Sequence, residues 1–343
     1  MEQRQIHKVR APEVYGDFWF NSDPLTVRAL QGQVILLCFW DYTSDKSLRM
    51  LQVVQEWARR YQEMGLVAIG IHSPEFSFAR DPKYVEGALQ RFGIRFPVAT
   101  DNTLMTRDAY RVQELPTLFL VEREGSIYLS HSEEGGYERI ERSIQTLLRD
   151  AGFRGELPLL MEAHDEFVPP SFQKLTPPIR TGYLHGSLGN VEGYSPELPA
   201  EYKDAHLYIE GRFYAHGTWL AKSESFDFEG EPEHGYVAFR YSGNGVNVVM
   251  SAKKEGAVVR VLQNGKAVAP QDCGEDLTID DAGNSFFVVR QPGLFRVVRN
   301  KEFSDHTLTI FPQDKGTTLY SISFGVPPGS LLGTLGKQSY RNN

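Results

Sequence analysis

Two kinds of hydrophobic pattern divide this chain. In the first part, unbroken apolar runs predict strands covered on both faces: Val34-Ile-Leu-Leu-Cys-Phe-Trp40 and Leu66-Val-Ala-Ile-Gly-Ile-His72. Between them Leu48, Leu51, Val54, Trp57, Ala58 and Tyr61 recur at helical spacing, and the helix is expected to stop near Met64, with Gly65 as its cap. Strand, helix and second buried strand predict a right-handed βαβ unit.

The flanking patterns extend that unit. Asp17-Phe-Trp-Phe-Asn21 predicts a short strand that forms a hairpin-like pair with Leu25–Leu30. Asp81-Pro82 reads as an N-cap and first helical position, with Val85, Leu89 and Phe92 as the apolar stripe up to Gly93. Phe96–Ala99 predicts a strand and Met105–Tyr110 a short helix. Leu118–Val121, the turn Glu122-Arg-Glu-Gly125 and Ile127–Leu129 predict a hairpin, and Tyr137–Leu148 a closing helix.

Prolines then interrupt the pattern at Leu157-Pro158, Val168-Pro-Pro170 and Thr176-Pro-Pro178, which predicts a partly extended linker. From Thr181 the runs become short and alternating. Tyr208–Tyr214, Thr218–Phe228, Tyr236–Tyr241, Gly245–Ala252, Ala257–Leu262, Ser285–Val289, Gly293–Val298, His306–Phe311 and Leu319–Phe324 read as strands, with turn chemistry at Gln263-Asn-Gly-Lys266 and Asp280-Asp-Ala-Gly283. The expected organisation is an α/β domain over 1–153, a linker over 154–180, an all-β sandwich of jelly-roll topology over 181–331, and a tail over 332–343.

Composition narrows the function classes. At 41% hydrophobic and 23% charged, 343 residues are enough for two cores. A net charge of -8 without a basic window argues against nucleic acid and anionic membrane surfaces as partners. Cys38 and Cys273 form neither a disulfide framework nor a zinc pattern, and no P-loop or dinucleotide fingerprint appears, so no metal and no cofactor is expected. The polar start Met1-Glu-Gln-Arg-Gln-Ile-His-Lys8 and the lack of a bilayer-length apolar run predict a soluble, cytoplasmic chain as written, extracytoplasmic if an anchor has been removed.

The segment Phe39-Trp-Asp-Tyr-Thr-Ser-Asp-Lys-Ser47, with Gly70-Ile-His-Ser-Pro-Glu-Phe76 and Thr100-Asp-Asn102, resembles the thioredoxin-like domain of DipZ-type proteins, within the wider TlpA-like group. That group writes the turn W-x-Y-S/T-C-x-x-C and the next strand exit H-x-P-E. Trp40, Tyr42, Thr43, His72, Pro74 and Glu75 match, whereas Ser44 and Ser47 stand at the two cysteine positions. The resemblance covers roughly residues 15–150 and, more faintly, the remainder, since DipZ-type proteins carry a jelly-roll module resembling carbohydrate-binding domains. It implies a thioredoxin fold, and it makes Pro116 of Leu115-Pro116-Thr117 the cis proline that faces the turn. A trans proline opening a strand is the plainer alternative.

Thiol–disulfide exchange needs one sulfur to attack and another to close the mixed disulfide, and peroxidase chemistry starts at a thiolate. With Ser44 and Ser47 in place, both are disfavoured. Cys38, inside the apolar strand, reads as a small buried residue. The plainer role of Thr43, Ser44 and Asp45 is capping the helix. No His–Asp pair at a readable spacing and no G-x-S-x-G supports a serine hydrolase. Glu75 is a conceivable general acid or base, against loop capping, with His72 simply packed and hydrogen-bonded.

The expected role is therefore non-catalytic binding of a protein, peptide or other ligand in a groove made by the Ser44 turn, Trp40 and the Leu115-Pro116 loop, with Tyr42, His72 and Glu75 as further expected binding residues. The alternatives are a thiol–disulfide oxidoreductase or thiol peroxidase whose cysteines were replaced by serine, and glycan binding by aromatics of the second half. Those aromatics are Tyr194, Tyr202, Tyr208, Tyr214, Trp219, Tyr236 and Tyr241, for which core packing is the plainer reading.

Overall fold

A computed structural model describes residues 9–161 and 174–325. The chain divides into two compact units between residues 166 and 167. Much of the expected linker, 162–173, and everything beyond residue 325 lie outside the described residues.

The first unit is built on a six-stranded sheet. Its elements are β1 (Trp19–Phe20), β2 (Val34–Trp40), α1 (Asp45–Tyr61), β3 (Leu66–His72), α2 (Pro82–Phe92), β4 (Val98–Thr100), α3 (Met105–Ala109), β5 (Thr117–Val121), β6 (Ile127–Ser132) and α4 (Tyr137–Asp150). The strand order is β1-β4-β3-β2-β5-β6, with β2, β3 and β4 parallel and the others antiparallel. This is a thioredoxin-like sheet with β2 and β3 at its centre, every residue of β2 buried. The α1 helix closes with a 3-10 turn, Gln62–Met64, and Gly65 at φ 102, a conformation that favours glycine. Asp81 caps α2 by accepting from Lys83 N–H, with Pro82 behind it.

Some expected boundaries move. The segment Asp17–Leu30 is not a hairpin: β1 pairs with β4, Trp19 opposite Ala99, while residues 27–32 form turns. Asn21 holds β1 in that register, since its side-chain amide donates to the carbonyls of Ile94 and Phe96. That capture leaves β4 to begin at Val98 rather than Phe96.

Residues 158–161, expected as linker, are fastened to the first unit. Buried Glu141 on α4 accepts from Arg60 Nη1 at 2.5 Å, Tyr61 Oη at 2.7 Å and the backbone N–H of Met161 at 2.8 Å. Gln145 donates to Pro158 O and Arg60 to Leu159 O. One carboxylate thus ties α1, α4 and the following chain together.

The second unit contains β7 (Ile179–Arg180), β8 (Pro199–Tyr202), β9 (Phe213–Ala221), β10 (Phe226–Phe228), β11 (Tyr236–Ala252), β12 (Ala257–Gln263), β13 (Lys266–Ala267), β14 (Thr278–Ile279), β15 (Ser285–Val289), β16 (Gly293–Pro312) and β17 (Thr317–Phe324). They form one large antiparallel sheet. The first part of β11 pairs with β9 and its second part with β17, while β10 bridges β17 to β9, so these four strands close on themselves. The enclosed core includes Phe213, Trp219, Phe226, Phe239, Tyr241, Val248 and Ile310.

Here too the expected strands are regrouped. Tyr236–Tyr241 and Gly245–Ala252 are one strand, as are Gly293–Val298 and His306–Phe311, because register shifts around Gly243–Gly245 let both chains bend without ending. Thr218–Phe228 is split by a turn closed by Lys222 N–H to Ser225 O. Residues 208–212 precede the strand: Tyr208 Oη donates to Asp204 and Ile209 N–H to Tyr214 Oη.

Replacing Glu141 by Ala leaves the Tyr61 hydroxyl proton and the Met161 N–H without their acceptor, and leaves Arg60 with Glu56 and Leu159 O. We expect a loss of about 2 kcal/mol in urea unfolding of the full chain, with faster proteolysis at 158–161. Unchanged stability would show that this carboxylate is not the tie.

Candidate functional site

The site begins where β2 ends. In register, Trp40 lies opposite His72 of β3, and Phe39 opposite Thr117 of β5, so the strand exits converge with the residue after Pro116. The Leu115-Pro116 bond is cis. The chain leaves β2 through Asp41-Tyr-Thr and starts α1 at Ser44, an N-cap in extended conformation whose Oγ accepts from Ser47 N–H at 3.3 Å. Ser44 is half-buried; Ser47 is 0% exposed, and its Oγ has no hydrogen-bond partner among the described residues.

Beneath the turn lies a carboxylate that the sequence reading did not single out. Asp41, fully buried, accepts from Thr43 N–H at 2.9 Å and from Glu75 N–H at 2.6 Å, and its Oδ1 stands 3.3 Å from His72 Nε2. The His72 contact has ion-pair length without the alignment of a good hydrogen bond. So there is a His–Asp pair here, which the sequence spacing did not reveal. Neither ring nitrogen of His72 is hydrogen-bonded to a hydroxyl, so the Asp41–His72 pair is not completed to a triad. Asp41 caps this loop, with the Glu75 backbone N–H as one of its donors.

Burial pushes the Asp41 carboxyl up, but the contact with His72 and the two N–H donors outweigh it and hold the group below the ordinary carboxylate range. The His72 ring is stacked on Tyr42 at 5.3 Å and meets Trp40 edge-on at 5.0 Å. Trp40, Tyr42 and His72 are therefore interior: their side chains are 1%, 3% and 0% exposed and cannot line a groove, a correction to the expected binding set. Ser44, Glu75 and Leu115 reach solvent. Neither the N–H nor the C=O of Leu115 has a hydrogen-bond partner among the described residues.

One turn into α1, Arg49 is bound by Asp45 and, bidentately, by Glu134, which accepts from Nε at 2.6 Å and Nη2 at 2.8 Å. Residues 85 apart leave no trace of this in spacing. Cys38 is buried in β2, and desolvation pushes its thiol far above the ordinary range; Cys273 is in the second unit, half-buried. No grouping of His, Cys, Asp and Glu able to hold a metal occurs among the described residues. No described helix is long and apolar enough to cross a membrane.

In the second unit, Tyr202, Tyr214, Trp219 and Tyr241 are core, while Tyr194, Tyr208 and Tyr236 are half-buried. Tyr236 belongs to a cross-strand row: His216 stacks on it at 5.1 Å and 19°, Phe311 lies at 5.4 Å, and the Arg260 guanidinium covers Phe311 at 5.5 Å. His216 covers one face of Tyr236, while Phe311 meets Tyr236 at a tilt of 52°.

A sequence model described as "Thioredoxin like C-terminal domain" matches residues 182–325. The DipZ proteins of Mycobacterium bovis and Mycobacterium tuberculosis are each 26% identical over 319 residues, 92% of this chain and 43% of theirs, so the chain spans less than half their length. The thiol-disulfide oxidoreductase ResA of Halalkalibacterium halodurans is 24% identical over 133 residues, 38% of this chain and 72% of that protein. Among solved structures, a thioredoxin-like superfamily protein is 26% identical with TM-score 0.40, covering 41% of this chain and 96% of its own. A putative DsbE from Chlorobium tepidum is 21% identical with TM-score 0.37, covering 41% and 96%. The first unit is a thioredoxin-like domain related in sequence to the DipZ and ResA proteins.

The Asp41 carboxyl has a folded value below its unfolded one, near 3.9. Its contribution to stability is fully present above that value and is lost as pH falls through the folded value. Asp41→Asn should cost about 3 kcal/mol near neutral pH, and the gap to the unaltered protein in urea unfolding should narrow below about pH 4. A gap that is constant from pH 7 to 2 would rule out a charged Asp41 in the fold.

Proposed function

We propose that the first unit holds a protein or peptide segment in an extended form and does not exchange disulfides. The carrying observation is that the Ser44 oxygen is used as a helix cap, accepting from Ser47 N–H, while the nearest sulfur, Cys38, is sealed in β2. The unpaired N–H and C=O of Leu115, beside the cis Pro116, suit the addition of an extended segment by backbone hydrogen bonds. Ser44, Glu75 and Leu115 are the expected binding residues that reach solvent.

A second reading is a thiol–disulfide oxidoreductase whose cysteines are replaced by serine in this sequence. It draws support from the relation to ResA and from the inequality of the two positions: Ser44 is half-buried and Ser47 sealed, as an attacking and a resolving thiol require. For the second unit, the large antiparallel sheet supports a β-sandwich of the jelly-roll kind as a further binding module. Glycan binding there has less support, because a sugar stacks on an open ring face, four of the seven candidate aromatics are core, and His216 already covers one face of Tyr236.

Two measurements separate the readings. The chain as it stands should bind S-carboxamidomethylated insulin B chain in a fluorescence titration, yet give no turnover of insulin disulfides with dithiothreitol as reductant. Ser44→Cys with Ser47→Cys should close an intramolecular disulfide and gain insulin reduction, because the N-cap and N3 positions are one helical turn apart. Insulin reduction by the unaltered chain would overturn the proposal, and serine codons in the native gene would end the second reading.

A further inference from the structure

Between the segment leading into β1, the turn after β1 and the start of α3 lies a cavity of about 280 Å³. Tyr15, Trp19, Leu25 and Met105 line it, with Asp17 among its polar groups, and none of its lining residues belongs to the site at Ser44. Its volume is below the roughly 300–1,000 Å³ of pockets for drug-sized ligands, so its occupant is small.

The lining is held from behind. Thr106, buried on α3, accepts from Tyr15 N–H at 2.9 Å and donates to Tyr15 O at 2.8 Å. Asp17 N–H donates to Thr100 O at 2.8 Å, and the Asp17 carboxylate accepts from Asn102 N–H at 2.9 Å. Gly16 lets the Trp19 indole lie against the chain, since an added Cβ would stand 2.7 Å from its Nε1 and 2.8 Å from Ala99 Cβ. A ligand is thus spared the cost of ordering these segments. Tyr15 and Met105 are left 56% and 57% exposed.

The charges select the ligand. Asp17 has no ion pair among the described residues, and its carboxylate accepts that N–H through Oδ2 alone. No lysine, arginine or histidine lines the cavity. Close by, the buried Asp101 carboxyl is pushed up, first by desolvation and further by Asp17 and Asp108, against two N–H donors that pull it down. These carboxylates repel one another and lack a counter-charge. An anion is therefore excluded, and a neutral apolar ligand would cover Asp17 without giving it a partner. A cation with a hydrocarbon surface satisfies both demands: the carboxylate answers its charge, and two aromatic rings and a thioether answer its surface.

We propose that this cavity binds a small organic cation of the quaternary ammonium kind, with Asp17 as the counter-charge and Tyr15, Trp19 and Met105 as the walls. The site is independent of the peptide-binding role given to the first unit.

The test is a fluorescence titration of the full chain with choline and with its neutral isostere, the alcohol carrying a tert-butyl group in place of trimethylammonium. Trp19 is half-buried, whereas Trp40, Trp57 and Trp219 are at most 1% exposed, so a change in emission reports this cavity. Choline should give a saturable change, and the isostere should bind about tenfold more weakly. Asp17→Asn, which keeps an oxygen for the Asn102 N–H, should weaken choline by about tenfold and leave the isostere unchanged. Equal affinity for the two probes, or full choline affinity in Asp17→Asn, would reveal a merely apolar cavity and overturn the proposal. The absence of any saturable change with choline would overturn it as well. Should Asp17→Asn not fold, Met105→Lys brings an ammonium of the chain's own to the exposed rim and should abolish choline binding; unchanged binding in that variant also defeats the assignment.

Discussion

A buried carboxylate organises the first unit's functional end. Asp41 leaves β2 where the sheet ends, and its two oxygens gather the N–H groups of Thr43 and Glu75 and the ring of His72. These come from the turn into α1 and from the exit of β3, segments with no regular ladder to pair them. An uncompensated carboxylate there would be costly, so the loops are forced into the one arrangement that solvates it. Tyr42 and Trp40 then close around His72, each ring contact adding about 1 kcal/mol beyond its buried area. Ser44 stands where it does because Thr43 before it is held by the Asp41 carboxylate and its own N–H donates to Asp41 O.

That dependence explains which parts were legible from the amino acids. The βαβ unit was written in unbroken apolar runs, a helical repeat and the cap residues Ser44, Gly65 and Asp81, all local signals with local causes. Asp41 is a single polar letter after an apolar strand, and nothing in such a letter says that it points inward. Once it does, Trp40 and Tyr42 follow it into the interior, which is why matching a motif named them as surface contacts. The Arg49–Glu134 pair is less legible still, since it joins positions that become neighbours only after the sheet has formed.

The second unit shows the same limit in its strands. Gly243-Asn-Gly245 has the composition of a break, yet β11 continues through it because β16 shifts register alongside. Composition reports how easily a backbone bends; whether the ladder resumes depends on the partner strand. Face is also a partner property: alternation placed Tyr236 and Trp219 among the same candidates, and only pairing sends Trp219 into the core and Tyr236 into a row with His216 and Phe311.

The helix N-terminus is where oxygen and sulfur lead to different outcomes. The first N–H groups of α1 have no intrahelical acceptor, and the dipole adds positive potential there. A thiol in that place is drawn toward the thiolate, which costs stability in the protonated form and makes a nucleophile. A serine hydroxyl does not ionise at accessible pH. Instead, the Ser44 oxygen accepts from Ser47 N–H, an arrangement worth about 1 kcal/mol to the helix. The same potential that activates sulfur is consumed here in a cap. With Asp41 fixing the turn from below, the electrostatics of this helix start serve the fold, in a cap and a solvated carboxylate, rather than the activation of a nucleophile.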